Sequence, residues 1–378
     1  MKIAIIGDLH LSYKQYGLDE REKDFYRRWQ MIISDIIARQ DIDLVLQLGD
    51  IFDNHLPSPI ALYEYEKGIS QLLDNDISYY SITGNHTIIR KQNFMSPDEL
   101  FTHILDITSL DDTHIVTEDG TFIAGIKYRS ESNKKILLEE INKQTEYAKK
   151  HNGLKILLLH QAVDIDLIYG AELQEHDLPV DVFDYIFIGH IHSRIERQDG
   201  NCKIIYPGSI ERSNTTEAKD EINRGKGFII LDTDTQQYGV VTLPCKRRFI
   251  FAEVNNESDV KEIKNQLTAD DKVWNPIVEL TFNAVDIQKA HEIGHIIADD
   301  CLRLNINVAN DEVLDDDNEI SIEESISSIQ HMLEQKLSKK QAVFAYDLLQ
   351  IFNKNEKTND NIISAINLSD KYFDDNFA

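Results

Sequence analysis

The feature that most constrains the fold of this chain of 378 residues is a series of short apolar runs along its first two thirds. The runs read KIAII, DLVLQL, SYYSI, TFIAGI, KILLL, YIFI, KIIYP and GFIIL. Between several of them lie segments with the periodicity of amphipathic helices, at residues 25–40 and 134–150. Apolar runs of this length that alternate with helices predict an α/β domain whose strands are buried on both faces.

The pattern of predicted strands and helices changes after residue 246. Three strand-like segments, RFIFAEV, PIVELTF and RLNINVA, alternate with helical patterns at residues 258–267 and 286–300. This alternation predicts a second, smaller α/β unit.

The last part of the chain begins with an acidic linker that is poor in apolar residues, DEVLDDDNE. Two amphipathic helical patterns follow at residues 322–337 and 339–353, the second with Ser338 as its expected N-cap. We therefore expect three parts, at residues 1–246, 247–310 and 311–378.

Residue types that bind metals stand at the ends of five strand-like runs. They are Asp8 and His10, Asp50 and Asp53, Asn85 and His86, His160, and His190 and His192. Each of these by itself is more often part of a turn or a helix cap than a metal ligand. Ligands of open α/β sheets, however, gather outside the carboxyl ends of the strands, and residues two apart in an extended chain point the same way. Five coincidences in this position therefore predict a metal centre.

The types of the expected ligands restrict the metal. Carboxylates, an amide and imidazoles without any thiolate disfavour structural zinc and suit manganese or iron. One aspartate between two cations roughly 3.5–4 Å apart is the arrangement that supports in-line displacement at a phosphodiester. We expect two divalent cations, most readily Mn²⁺, with Mg²⁺ or Fe²⁺ as alternatives.

The motifs D-x-H, GDxxD, GNH, a lone histidine and GHxH, in that order, resemble the calcineurin-like metallophosphoesterase superfamily. Together with YPGS (206–209) and KGFIILD (226–232) they resemble its SbcD branch, the nuclease subunits of double-strand-break repair complexes. The resemblance covers about residues 1–250. It implies an αββα-sandwich metallophosphoesterase domain with a small α/β capping domain and a C-terminal helical extension. The implied activity is exonuclease action on duplex DNA ends and endonuclease action on single strands or hairpins.

The resemblance also implies a role for each site residue. One metal would be held by Asp8, His10 and His192. The other would be held by Asn85, His160 and His190, with Asp50 bridging the two. His86 would be the catalytic residue, which stabilises the scissile phosphate or protonates the leaving oxygen without binding metal.

Two positions depart from the usual motifs of this superfamily. The family pattern GNHD reads GNHT here, with Thr87 in the place of the acid, so the support of that loop is expected to differ. Asp53 follows GDIF where eukaryotic and archaeal members tend to have histidine, which resembles the bacterial form. Neither departure removes an expected ligand.

The expected partners also come from the resemblance. They are DNA and an SbcC-like SMC-type ATPase, with the chain as a homodimer inside a heterotetramer. The resemblance implies that the last two helices dock on the coiled-coil root of the ATPase; the alternative is that they pack back on the catalytic domain. The sequence shows neither a signal-peptide run nor a membrane-length apolar segment. Its three cysteines form no CxxC pair, so we expect a reduced compartment, the cytoplasm of a cell or of a virus host.

The formal net charge of -27 argues against a general polyanion binder, because phosphate contacts need lysine and arginine. Two segments are locally basic, NRGKG (223–227) and CKRRF (245–249). They predict either a basic patch for nucleic acid or an ordinary solvated face.

Three other functions are weighed against the nuclease. A small-molecule or cyclic-nucleotide phosphodiesterase of the same superfamily is disfavoured by the long extension after the catalytic domain. A non-catalytic binding module is disfavoured because no expected ligand is missing. The motif HEIGH (291–295) matches H-E-x-x-H of zinc peptidases, but an amphipathic helix with Ile293 and Ile297 buried and both histidines in solvent explains it better.

Overall fold

A computed structural model describes most of the chain up to residue 309. The described residues are 1–88, 95–105, 107–164, 171–221, 225–267, 274–283, 287–309 and 344. Residues up to Ala309 form one compact unit. The acidic linker and the two helices expected within residues 311–378 lie outside the described residues, apart from Phe344.

A first sheet of six strands includes the N-terminus. In chain order its strands are β1 (Lys2–Ile6), β2 (Leu44–Gln47), β3 (Ser78–Ser81), β4 (Thr108–Ser109), β11 (Lys226–Asp232) and β12 (Gln237–Leu243). Their spatial order is β12-β11-β1-β2-β3-β4. Strands β1 to β4 are parallel, whereas β11 is antiparallel to both β1 and β12. The carboxyl ends of β1, β2 and β3 therefore meet at one edge.

A second sheet of six strands is built from the middle of the chain. Its strands are β5 (Thr113–Val116), β6 (Phe122–Ile126), β7 (Lys155–His160), β8 (Tyr185–Gly189), β9 (Ile195–Asp199) and β10 (Cys202–Tyr206). Their spatial order is β5-β6-β7-β8-β10-β9, with β6, β7, β8 and β10 parallel. The outer strands β5 and β9 are antiparallel to their neighbours.

An apolar layer joins the two sheets face to face. Alternate residues of β1 divide between two clusters, because Ile3 and Ile5 pack in this layer while Ala4 and Ile6 pack on the other side of the sheet. Leu158 of β7 lies in the same layer, and its neighbours Leu157 and Leu159 pack outward. Both faces of these strands are buried, which is why they read as unbroken apolar runs.

Helices cover the two outer faces. The first sheet packs against α1 (Asp19–Arg39), α2 (Pro59–Leu73) and α3 (Pro97–Ile104), and the second against α4 (Lys134–Ala148). Ser58 and Ser96 cap α2 and α3, with proline in the first turn of each helix. A short helix, α5 (Thr215–Glu221), precedes β11. The predicted αββα sandwich is thereby confirmed.

A third sheet follows the sandwich. It contains three parallel strands, β13 (Phe249–Val254), β14 (Ile277–Asn283) and β15 (Arg303–Ala309), and the helices α6 (Glu257–Leu267) and α7 (Ile287–Gly294). These elements share an apolar cluster of their own. The helix expected over residues 286–300 is shorter, since His295–Asp300 is a 3-10 helix. Asp299 and Asp300 fall at its C-terminal end, where negative charge opposes the helix dipole.

Four strands have no counterpart among the predicted runs. β4 has two residues, and β5 is a four-residue strand at a sheet edge. The edge strands β9 (IERQD) and β12 (QYGVVTL) alternate between exposed and half-buried side chains. Strands with one solvated face carry a weak apolar signal.

In each of the two basic segments, one cationic side chain is buried, which neither a nucleic-acid patch nor a solvated face would require. Lys226 is 3% exposed, and its Nζ donates to Ser209 Oγ and Glu217 Oε2. Arg247 is 2% exposed and donates to both carboxylate oxygens of Asp24, at 2.5 and 3.1 Å. For these two side chains a nucleic-acid patch and a solvated face are both wrong, because each cation neutralises a buried carboxylate.

Two other expectations concern the cysteines and the absence of a membrane-spanning segment. Cys202, Cys245 and Cys301 all carry free thiols, as the absence of a CxxC pair suggested. Within the described ranges, every helix is too short or too polar to span a bilayer.

Candidate metal centre

All seven residues expected as ligands converge where the carboxyl ends of the parallel strands of both sheets meet. Asp8, His10, Asp50 and Asn85 follow strands of the first sheet, and His160, His190 and His192 end or follow strands of the second. Hydrogen bonds cross between the sheets at this point. The amide of His190 donates to Asp8 Oδ1 at 3.1 Å, and His160 Nδ1 lies 2.6 Å from the carbonyl oxygen of Leu48.

A first group combines Asp8, His10 and His192, whose ligand atoms all lie within 4.8 Å of one another. The Nε2 atoms of the two histidines are 2.9 Å apart. Asp8 Oδ2 lies 3.8 Å from His192 Nε2. These three residues are the set that the family resemblance implies for one cation.

A second group combines Asp50, His160 and His190 within the same limit. Asn85 Oδ1 joins it, at 3.1 Å from His160 Nε2 and 2.8 Å from His190 Nδ1. Asp50 Oδ2 lies 3.2 Å from His160 Nε2 and 3.9 Å from His10 Nε2 of the first group. Asp50 therefore lies between the two groups, as a bridging residue must.

His86 lies at the rim of the site, with a side chain 36% exposed. Its Nδ1 is 2.5 Å from the carbonyl oxygen of Asp53. A carbonyl can only accept, so Nδ1 carries the proton and Nε2 is the atom left to face the site, 3.8 Å from Asp50 Oδ2. His10, Asp50 and His86 also form a compact group, so the geometry is compatible with a ligand as well as with a proton donor.

Hydrogen bonds fix the ring orientation of two other histidines. His160 Nδ1 donates to the carbonyl of Leu48, and His192 Nδ1 lies 2.8 Å from Glu217 Oε1. In both rings Nδ1 therefore holds a proton, and Nε2 is the nitrogen that points into the site.

The charges of the site are strongly coupled. Burial would raise the pKa of Asp50, but the neighbouring His160, His10 and His86 hold it well below its usual range. Burial lowers the pKa of His160, yet Asp50 and Asp8 raise it to about 9. Two buried carboxylates thus draw positive charge into the site, and in the protein alone histidine protons supply that charge.

The unpaired polar atoms test whether divalent cations fit here. Asp8 Oδ2 and His10 Nδ1 are buried and have no hydrogen-bond partner. Such atoms are costly in a protein interior unless an ion or water satisfies them. Carboxylate oxygen, amide oxygen and imidazole nitrogen are suitable ligands for Mn²⁺ and Fe²⁺. The residues present therefore fit a pair of divalent cations.

The backbone at the site is strained. His10, Asp50 and His190 have φ values of 46°, 48° and 81°, a left-handed conformation that costs of the order of 1 kcal/mol for a side chain other than glycine. The carbonyl of Asp50 accepts from the amides of both Leu9 and His10 at 3.0 Å. The surrounding hydrogen bonds hold three ligand-bearing turns in conformations that the isolated chain would avoid.

Glu217 on α5 is a site residue that the sequence reading missed. Burial would raise its pKa, but hydrogen bonding to His192 and the charge of Lys226 lower it below the usual range. Its Oε2 lies 3.0 Å from Lys226 Nζ, which also donates to Ser209 Oγ at 2.8 Å. The motifs YPGS and KGF could have signalled this network, since Ser209 and Lys226 belong to them. A carboxylate behind a ligating histidine fixes its orientation and increases its basicity.

The HEIGH motif forms no comparable cluster. His291 and His295 are exposed, with ring centroids 6.4 Å apart, whereas Ile293 and Ile297 are buried. Among the described residues, no histidine, cysteine, aspartate or glutamate completes a metal-binding group with them. This is the arrangement of an amphipathic helix.

Comparison with known proteins identifies one family model and several relatives that share one name. Residues 1–194 match the family model described as calcineurin-like phosphoesterase. The chain is 32% identical over 307 residues to the DNA double-strand break repair protein Mre11 of Methanococcus maripaludis, covering 77% of this chain and 82% of that protein. Proteins of the same name from Methanocaldococcus jannaschii and Saccharolobus solfataricus are 31% identical over 272 residues and 27% identical over 300 residues. These matches cover 71% and 76% of this chain and 73% and 77% of the two relatives.

Substituting Gly84→Ala should disturb the site directly. A Cβ at this position would lie 2.2 Å from Asp50 Oδ1 and 2.3 Å from the backbone nitrogen of Asp50. We expect the free energy of unfolding to fall by about 1–3 kcal/mol, measured by urea denaturation, because overpacked atoms force a shift. Gly239→Ala is the control, since its Cβ would meet nothing within 4 Å. Equal stability of the two variants would contradict the close approach of the loops.

Substituting Glu217→Gln should weaken metal binding by roughly 10–100-fold, the usual effect of removing the carboxylate behind a ligating histidine. Isothermal titration with Mn²⁺ measures this change. Glu253→Gln removes an exposed carboxylate from β13 and should leave the affinity unchanged. If Glu217→Gln binds Mn²⁺ as tightly as that control, Glu217 does not act on His192.

Proposed function

The chain belongs to the calcineurin-like phosphoesterase family, and on that premise we propose that it is a metal-dependent DNA nuclease of double-strand-break repair. Membership of this family makes it a hydrolase of phosphoester bonds. The observation that carries the proposal of DNA as substrate is the similarity to Mre11 proteins over 77% of the chain. A match of that length extends well past residue 194, where the general family model ends.

The proposal assigns the ligands as the family resemblance implies. One cation is held by Asp8, His10 and His192, and the other by Asn85, His160 and His190, with Asp50 shared. The distances within the two groups and the unpaired atoms of Asp8 and His10 support this assignment. Mn²⁺ is the proposed metal, because the mixed oxygen and imidazole set suits it.

The proposed reaction needs stabilisation of negative charge, which the cations would supply, and a proton donor, which is a side chain. Such a pair of cations, when bound, supplies stabilisation of the negative charge on the attacking and leaving oxygens. His86 is the proposed general acid. The carbonyl of Asp53 accepts the Nδ1 proton, so a ring protonated on both nitrogens directs its Nε2 proton toward a leaving oxygen and becomes neutral on donating it. The exposure of the ring leaves room for a substrate.

Residues 247–310 are proposed as a cap that guides DNA. Two contacts support a firm connection of this part to the sandwich. Arg247 pairs with Asp24 of α1, and Lys219 Nζ of α5 lies 2.5 Å from Glu279 Oε1 of β14. A small-molecule phosphodiesterase has no evident use for such an addition, which favours a polymeric substrate.

The finer parts of the proposal rest on the resemblance to the SbcD branch. They are exonuclease action on duplex ends, endonuclease action on single strands or hairpins, and an SbcC-like ATPase as partner. The helices expected to contact that ATPase lie outside the described residues. The proposed location is the cytoplasm, which is compatible with three free thiols.

The proposed homodimer has a suitable surface on α2 and α3. The two helices pack together through Tyr65 and Phe101, whose ring centroids are 4.8 Å apart. Large apolar side chains remain exposed on and beside these helices, namely Leu56, Ile60, Tyr63, Met95, Leu100 and Ile104. They are six of the eleven large hydrophobic residues that are exposed in the described part of the chain. Such a concentration is typical of a surface that a second subunit covers.

Substituting Asp50→Asn should reduce DNA cleavage in Mn²⁺ to below a few per cent, because the charge shared between two cations is lost. End-labelled duplex DNA and bis-p-nitrophenyl phosphate, each with Mn²⁺, provide the two assays. Asp74→Asn, which changes an exposed aspartate after α2, should retain full activity. Cleavage of the small diester without cleavage of DNA by the unmodified protein would refute the nuclease and leave a small-molecule phosphodiesterase.

The double substitution Ile60→Glu and Ile104→Glu should convert a dimer to a monomer. Two carboxylates on an apolar surface would have to be desolvated when subunits associate. Light scattering after size-exclusion chromatography measures the mass, and cleavage of the small diester should persist. Ile136→Glu on α4, at a side chain 45% exposed in the other helical layer, is the control. An unchanged mass of the double variant would exclude this surface as the interface.

A further inference from the structure

The loop that carries Asn85 and His86 is held at each end by a threonine that donates to an aspartate. At the beginning, the amide and Oγ1 of Thr83 donate to the two carboxylate oxygens of Asp111, at 2.8 and 2.7 Å. At the end, Thr87 Oγ1 donates to Asp98 Oδ2. The two residues that act in the site lie between these attachments.

The attachment at Thr87 is fully interior. Thr87 is 0% exposed and Asp98 is 7% exposed. Burial raises the pKa of Asp98 to about 7, although the hydroxyl of Thr87 acts in the opposite direction. The second carboxylate oxygen, Oδ1, is buried without a hydrogen-bond partner. A buried carboxyl group with an unpaired oxygen lowers the free energy of unfolding. The contact between Asp98 and Thr87 is therefore better explained by a role in the site than by a gain in stability.

Helix α3 contacts two residues that are adjacent to His86 or to its hydrogen-bond partner Asp53. Asp98 and Phe101 are three residues apart and thus on one face of the helix. Through Asp98 the helix contacts the residue after His86. Through Phe101 it packs on Phe52, with ring centroids 6.1 Å apart, and the next residue is Asp53, whose carbonyl accepts from His86 Nδ1.

We propose that Asp98 is a positioning residue for His86 and Asn85, which it holds through the hydroxyl of Thr87 on the platform formed by α3. The proposal deepens the proposed function and rests on it. Asp98, 11 positions further along the chain, supplies the acid that the GNHD pattern has at position 87. Its carboxyl group touches neither substrate nor cation.

The test separates positioning from folding. Thr87→Val keeps the shape of the side chain and removes the donor, whereas Thr87→Ser keeps the donor. We expect kcat for bis-p-nitrophenyl phosphate with Mn²⁺ to fall roughly 10²-fold in Thr87→Val, the usual loss when a reacting group is misplaced by about 1 Å, with little change in KM. Thr87→Ser should recover most of the rate.

A second measurement needs neither metal nor activity. Hydrogen exchange of the backbone amides of residues 84–88, followed by mass spectrometry in the metal-free protein, should be faster in Thr87→Val and close to normal in Thr87→Ser. Thr145→Val is the matched control, because Thr145 is also a buried threonine and its hydroxyl donates to the carbonyl of Ile141 within α4. It should change neither kcat nor the exchange of residues 84–88.

The double variant Thr87→Val with Asp98→Leu covers the case in which Thr87→Val alone is unstable. Removing both partners eliminates the unsatisfied carboxyl group, so the Tm should recover while kcat stays low. Recovery of kcat together with Tm would show that the pair is merely structural and would overturn the proposal, as would normal exchange and kcat in Thr87→Val. Both readouts remain informative if the unmodified protein fails to cut DNA, so this test is independent of the choice of substrate.

Discussion

The packing of the two six-stranded sheets on a shared apolar layer is the constraint on which the rest of the molecule depends. Ile5 and Phe187, which come from different sheets, both lie in that layer. Parallel strands deliver their carboxyl ends to one edge of each sheet, and face-to-face packing brings the two edges together. Asp8 and His190 can therefore share a hydrogen bond although neither sheet alone contains both. The strained turns at these residues persist because the layer beneath them is rigid.

Much of this arrangement could be predicted from the sequence. Strands such as β1 and β7 are buried on both faces, so they appear as continuous apolar runs that end in polar residues. Glu217 could not be found in this way. It lies in the polar segment SNTTEAKDE, and its contact with His192 arises only when α5 folds back on the site across 25 positions of the chain. The edge strands β9 and β12 were not predicted for a related reason, because their solvated faces leave no apolar pattern in the sequence.

The basic residues show how misleading a local charge pattern can be. Arg28 of α1 donates to four carbonyl oxygens, those of Ile210, Lys226, Leu243 and Pro244, at 2.6 to 3.0 Å. Together with the interior positions of Lys226 and Arg247, this contact makes several cations part of the framework. These three buried cations contribute nothing to counterion release, because cations engaged inside the protein do not neutralise phosphates.

The distance along the chain between the two halves of the site affects how the protein is made. The rings of His10 and His192 touch although 182 positions separate them. Strand β11, which is hydrogen-bonded to β1, ends only at Asp232. The first sheet can therefore include β11 only after residue 232 has left the ribosome. Until that point the growing chain cannot assemble the complete metal centre, because His10 and His192 belong to different sheets.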